Sequence, residues 1–168
     1  ALHLACATID LKKDDQVLVS SSTNMACPFA IDYCGAIPIP IDIEIDTWQM
    51  DIKKIEEKIN NKTKAIMVVH LFGHAVDMDP VVKIAKKFNL KIIEDCAESL
   101  GVKYKGKIVG TIGDIGTFSF YSNKTITSGE GGMITTSSKK LYERAKKLKN
   151  LAYGKKNKFQ HELIGFNY

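Results

Sequence analysis

Short runs of aliphatic and β-branched residues alternate along this chain with segments whose apolar positions recur three and four apart. Residues 17–19, 65–69 and 92–93 are continuous apolar runs, too short for buried helices, and read as strands buried on both faces. Ile52, Ile55 and Ile59 keep helical spacing, and Asp51 caps the segment from 52 to 60. Residues 1–11 read as the tail of a helix, followed by a polar turn at 12–16. Thr23 or Asn24 caps a helix running to about Tyr33, with Pro28 tolerated in its first turn and Gly35 stopping it. The stretch 37–42 is extended, and Pro38 and Pro40 push it to a sheet edge. Asp79 and Pro80 open a helix that reaches about Asn89. Residues 115–121 and 133–136 are two further strands, and 139–150 is an amphipathic helix. Strand and helix alternating at this spacing predict an α/β fold: a three-layer arrangement with a mostly parallel sheet between helices.

Length and composition narrow the picture. The 168 residues suit one domain with a real core, since 45% are hydrophobic. The chain opens inside an apolar helical pattern without a cap and stops on Tyr168 without a closing element, as an internal piece of a longer protein does. Residues 1–150 read as the core, and 151–168, with the run 154–158, as the start of a linker toward a further domain. The net charge of +5 comes from 24 basic and 19 acidic residues. The lysines scatter over several helices and form no stripe, which argues against a nucleic-acid partner. No apolar run approaches the roughly 20 residues of a membrane span, and no signal peptide is visible. Cys6, Cys27, Cys34 and Cys96 have irregular spacing and no Cys-x-x-Cys pair. They read as free thiols of a reducing cytoplasm, not as a zinc site or a disulfide frame, with Cys96 as a small buried filler.

The chemistry concentrates at two strand ends. Lys124 follows the apolar run at 115–121 and precedes a glycine-rich turn at 127–132, flanked by hydroxyl residues and not by a charge run. Asp95 ends the run Leu90-Lys-Ile-Ile-Glu-Asp95. A carboxylate ending one buried strand and an amine following another is the pair that pyridoxal phosphate chemistry needs. The amine condenses with the cofactor aldehyde, and the carboxylate keeps the pyridine nitrogen protonated. In open α/β sheets ligands sit at the carboxyl ends of strands. Glu94, the neighbour of Asp95, points to the opposite face of its strand. Ser119 offers a hydroxyl to a phosphate. The glycines at 110–116 are spaced three and three and precede a strand, so they do not form a dinucleotide fingerprint. The glycine turn after Lys124 lacks the P-loop order. His70 and His74 are four apart, but Gly73 interrupts the helix a zinc pair needs, so pocket lining or loop hydrogen bonding is the better reading.

The stretches VHLFGHAVDMD (69–79), IEDCAESLG (93–101), FSFYSNK (118–124), TSGEGGM (127–133) and IGFNY (164–168) carry a resemblance. In this order they resemble the DegT/DnrJ/EryC1/StrS sugar aminotransferases, a family of the fold type I class of pyridoxal-phosphate transferases. The resemblance implies the large, cofactor-binding domain of such an enzyme. Lys124 would be the cofactor lysine and proton shuttle, and Asp95 the partner of the pyridine nitrogen. Ser119 would contact the phosphate, and Glu98 would lie near the cofactor's phenolic oxygen. Asn167 would reach the phosphate of a neighbouring subunit, which implies a homodimer with shared sites. Asn24 stands where many members carry an aromatic over the cofactor ring, so stacking must come from elsewhere. The activity implied is transfer of an amino group from glutamate to the C4 ketone of a nucleotide-linked 4-keto-6-deoxyhexose. DTWQMD (46–51) and SNKTIT (122–127) favour GDP-4-keto-6-deoxymannose as acceptor, ahead of UDP- or dTDP-linked sugars. Two other classes stay open: a sugar dehydratase of the same family, whose members replace the lysine with histidine, and a non-catalytic cofactor-binding domain.

Overall fold

A computed structural model describes residues 1–154, 157–161 and 163–167. In chain order the strands are β1 (Gln16–Ser20), β2 (Ile37–Ile41), β3 (Thr63–Val69), β4 (Lys91–Asp95), β5 (Lys103–Tyr104), β6 (Lys107–Ile108), β7 (Ile115–Ser119) and β8 (Gly132–Thr135). The helices are α1 (Leu2–Thr8), α2 (Ala26–Asp32), α3 (Ile55–Lys58), α4 (Met78–Phe88) and α5 (Lys139–Leu148). Six strands form one sheet in the order β2-β1-β3-β4-β7-β8, while β5 and β6 make a small separate hairpin. Pairing is parallel from β2 through β7, and β8 joins antiparallel. The mostly parallel sheet is as expected, with the two-proline strand at its edge.

Each face of the sheet buries its own core, because successive strand residues point to opposite sides. From β3, Ala65, Met67 and Val69 join Ala5, Cys6, Cys27 and Ile31 of α1 and α2. Ile66 and Val68 go the other way, against Ile55 of α3 and Val81, Ile84 and Ala85 of α4. Helix α5 lies beside α1, where Arg144 Nη2 meets Asp10 Oδ1 at 2.5 Å.

Several element boundaries differ from the sequence reading, each for a local reason. Helix α2 begins at Ala26: Asn24 Oδ1 accepts the Ala26 N–H at 2.9 Å, a side-chain turn just ahead of the helix. Asp51 does cap its segment, accepting from Lys53 N at 3.1 Å, but the first turn is a 3-10 turn (Ile52–Lys54). The α-helix after it is one turn long and ends where Ile59 turns extended. Helix α4 starts at Met78, so Pro80 sits in its first turn, where an N–H lacks a helical partner anyway. Asn89, left-handed at φ 53°, ends it. Strand β7 stops at Ser119, and α5 stops at Leu148. The β5–β6 hairpin went unforeseen because its turn is Lys105-Gly106, both at positive φ (47° and 84°), with a lysine where asparagine usually gives the signal.

After α5 the chain returns to it. Phe166 N donates to Leu148 O at 2.7 Å, and Asn150 bridges Asn167. Lys155 and Lys156 of the expected linker, and Tyr168 of the last motif, lie outside the described residues.

Candidate active site

Parallel pairing of β4 with β7 puts Asp95 opposite Thr117. Paired residues of parallel strands share a face, and Ser119, two further along, shares it too. Asp95, Thr117 and Ser119 line one cleft of about 470 Å³ at the carboxyl edge of the sheet, with Asn24 and Met25 from the β1–α2 loop and Ala97 after β4. Asp95 is only 5% exposed. Its Oδ1 accepts the Ala97 N–H at 3.0 Å, and its Oδ2 accepts the Cys27 thiol at 3.0 Å. The cleft thus has a buried, oriented carboxylate and a hydroxyl in its lining.

Glu94 takes the opposite face, as the strand period requires, and is fully buried. Its partner across β7 is Gly116. The missing side chain there lets the 110–113 loop come down onto the carboxylate: a Cβ on Gly116 would lie 2.2 Å from Gly110 O. Gly110 N donates to Glu94 Oε2 at 2.7 Å, and Ile112 N and Gly113 N donate to Oε1 at 2.8 and 2.6 Å. The glycine-rich 110–116 segment therefore cradles a carboxylate of this chain. Val76 N donates to His70 Nδ1 at 3.1 Å, so the imidazole proton sits on Nε2 and points to Glu94 Oε2 at 3.1 Å. Burial disfavours the Glu94 charge, but His70 and the Gly113 and Gly110 amides together outweigh it and hold the carboxyl below its usual range.

His70, Glu94 and Cys96 bring their ligand atoms within 4.8 Å of one another. Both His70 nitrogens and both Glu94 oxygens are already engaged, which leaves a metal no good donor set; His74 is exposed and apart from this cluster. Cys96 is 1% exposed, packed with Val109 and Phe118, a buried filler.

Lys124 rides on the loop that joins β7 to β8. That loop is tied at its base, where Phe120 N donates to Gly131 O at 2.9 Å and Ser128 N to Phe120 O at 3.0 Å. Within it Lys124 N donates to Tyr121 O at 3.0 Å, and the lysine is half-buried. The residues at the loop base, Ser119 and Gly131, are cleft residues. Glu98 is exposed beyond the end of β4, its Oε2 accepting the N–H of Phe72, a left-handed residue at φ 52°. Asn167 is exposed at the bridge to Asn150. Of the sequence-derived residues, Asp95, Ser119 and Asn24 share the cleft wall; Lys124, Glu98 and Asn167 are not among the residues that line it.

A protein-family model for the DegT/DnrJ/EryC1/StrS aminotransferases matches residues 1–168. The chain belongs to that family. It is 52% identical over 168 residues to a GDP-perosamine synthase of Escherichia coli O157:H7, covering all of this chain and 46% of that relative. Among solved structures it superposes on the aminotransferase from Psychrobacter cryohalolentis with a TM-score of 0.93 at 34% identity, over 99% of this chain and 45% of that one. NtdA from Bacillus subtilis with bound cofactor PMP superposes with a TM-score of 0.91 at 31% identity, over 99% of this chain and 38% of that one. The chain thus spans about half the length of these relatives, and it has their mostly parallel aminotransferase sheet.

Sequence reasoning missed two contacts. Cys27 stood as an unassigned thiol, although it reaches the Asp95 carboxylate from 68 positions away. The Glu94–His70 pair was passed over because a buried carboxylate needs donors that no local pattern names.

Proposed function

We propose that this chain is the cofactor-binding core of a nucleotide-sugar aminotransferase. It takes an amino group from glutamate and delivers it to the C4 ketone of a nucleotide-linked 4-keto-6-deoxyhexose, with GDP-4-keto-6-deoxymannose as acceptor. The observation that carries this reading is the shared wall of Asp95, Thr117 and Ser119 at the carboxyl edge of the sheet. The cleft suits pyridoxal phosphate in size, within the roughly 300–1,000 Å³ of small-molecule sites. It suits it in donor set too, with a buried carboxylate for a ring N–H and a hydroxyl for a phosphate.

When bound, the cofactor supplies a ring that accepts electrons from the donor's Cα. Asp95 holds the ring-nitrogen proton. Ser119 Oγ donates to the phosphate. Lys124 Nζ anchors the cofactor and moves the proton in each half-reaction. The family resemblance would place Glu98 near the ring's phenolic oxygen. Asn167 serves the phosphate of a neighbouring subunit, so the working unit is a homodimer. The perosamine-synthase names among the relatives and the 46–51 and 122–127 stretches support the GDP-sugar choice. Among the described residues no helix is long and apolar enough to cross a membrane; a cytoplasmic site of action is part of the proposal.

The test uses the full-length protein loaded with pyridoxal phosphate and given glutamate, then a panel of keto-sugar nucleotides. The expected products are 2-oxoglutarate and a 4-amino sugar, both lost in Lys124→Ala. Loss of a sugar hydroxyl in place of amination would move the protein to the dehydratases, and turnover surviving in Lys124→Ala would remove the lysine from the chemistry.

A further inference from the structure

Cys27 lies in the first turn of α2 and is fully buried. Small polar side chains in helices usually bond the carbonyl one turn back. The Cys27 thiol instead reaches the end of β4 on the same face of the sheet, at Asp95 Oδ2, 3.0 Å away. Thr23 Oγ1 donates to Cys27 Sγ at 3.1 Å, so a chain of donors runs Thr23, Cys27, Asp95. Asp95 Oδ1 is held separately by the Ala97 N–H. The carboxylate is therefore gripped at both oxygens by groups from two different elements, and its remaining lone pairs are left for a ligand in the cleft.

We propose that Cys27 is a positioning residue of the cofactor site: its S–H fixes the Asp95 carboxylate in the plane from which it receives a ring N–H. The proposal rests on the reading of Asp95 as the partner of the cofactor's ring nitrogen. Burial, and then the Asp95 charge, push the Cys27 thiol far up, so it stays a neutral donor at working pH and adds no charge to the site. An apolar residue of the same size would fill the same space in the α2 core. What it would lack is the donor, and a nearly buried Oδ2 would then have no protein partner to hold it.

The experiment compares full-length wild type with Cys27→Ala, Cys27→Ser and Asp95→Asn. The probes are pyridoxal phosphate and its 1-deaza analogue, in which carbon replaces the ring nitrogen, and the readout is the dissociation constant of each. Cys27→Ala weakens pyridoxal phosphate by about fivefold to tenfold, the worth of one hydrogen bond, and leaves the deaza analogue within about twofold. Cys27→Ser, which keeps a donor, stays within about twofold for both probes. Equal weakening of both probes in Cys27→Ala, or no weakening of either, overturns the proposal. Thermal unfolding of each apo variant accompanies the titrations. If Cys27→Ala does not fold, Cys27→Val, of similar volume and without a donor, takes its place. Asp95→Asn separates the two layers of the argument: if it too fails to discriminate the probes, the reading of Asp95 falls; if it discriminates and Cys27→Ala does not, the positioning role alone falls.

Discussion

Asp95 and Glu94 are consecutive carboxylates with opposite surroundings. Asp95 faces an open cleft with two donors and room for a ligand, while Glu94 is enclosed by three backbone amides and an imidazole. The first arrangement leaves capacity for a partner, and the second leaves none. Glu94→Gln puts an NH2 group against N–H donors whichever way the amide turns. It is expected to cost about 3 kcal/mol in urea unfolding. The pH dependence follows from the sign of the Glu94 shift. A carboxyl held below its usual range stabilises the fold above the unfolded value of about 4.3 and loses that contribution as pH falls through the lower folded value. The stability gap between wild type and Glu94→Gln should therefore be constant at neutral pH and narrow in acid. A gap that widens in acid would reverse the assignment. At this scale the sequence was informative about placement: Asp95 and Ser119 at strand ends on the cleft side, and Glu94 on the opposite face by alternation. It was silent on Cys27, because nothing local to residue 27 says which strand end will lie beside it.

The elements put these residues in place through a few backbone features. Gly116 is required because the 110–113 loop crosses directly over β7, its Gly110 carbonyl where a Cβ would stand. Gly116→Ala should cost about 3 kcal/mol, read as a fall in the thermal midpoint, and should loosen Glu94 from its amides. Asn24 ties the turn just ahead of α2 by accepting the Ala26 N–H, so Asn24→Ala should cost about 1 kcal/mol and Asn24→Asp much less. Element order and type were legible, since apolar runs and helical spacing both report burial. Boundaries were not, since they depend on single hydrogen bonds such as this one. The glycines at 110–116 show the limit most clearly: their spacing excluded a dinucleotide site, but only the fold reveals that their amides serve a carboxylate.

Across the whole molecule, the sheet collects residues far apart in sequence along one edge. Strands β1, β3, β4 and β7 run parallel, so the segments leaving their carboxyl ends all gather there, and the strand order changes direction at β1 and β3, where such folds bind ligands. Asn24 leaves β1, Asp95 ends β4, and Ser119 ends β7 and opens the loop that carries Lys124. The proposal that one cofactor meets both Asp95 and Lys124 rests on this gathering, while Lys124 itself rides the β7–β8 loop outside the cleft lining. The most direct test traps the lysine covalently. The full-length protein is loaded with pyridoxal phosphate, reduced with borohydride to fix the cofactor to its lysine, digested, and mapped by mass spectrometry. The account predicts the reduced pyridoxyl phosphate group on the peptide containing Lys124. A label on a different lysine, or none, would contradict it.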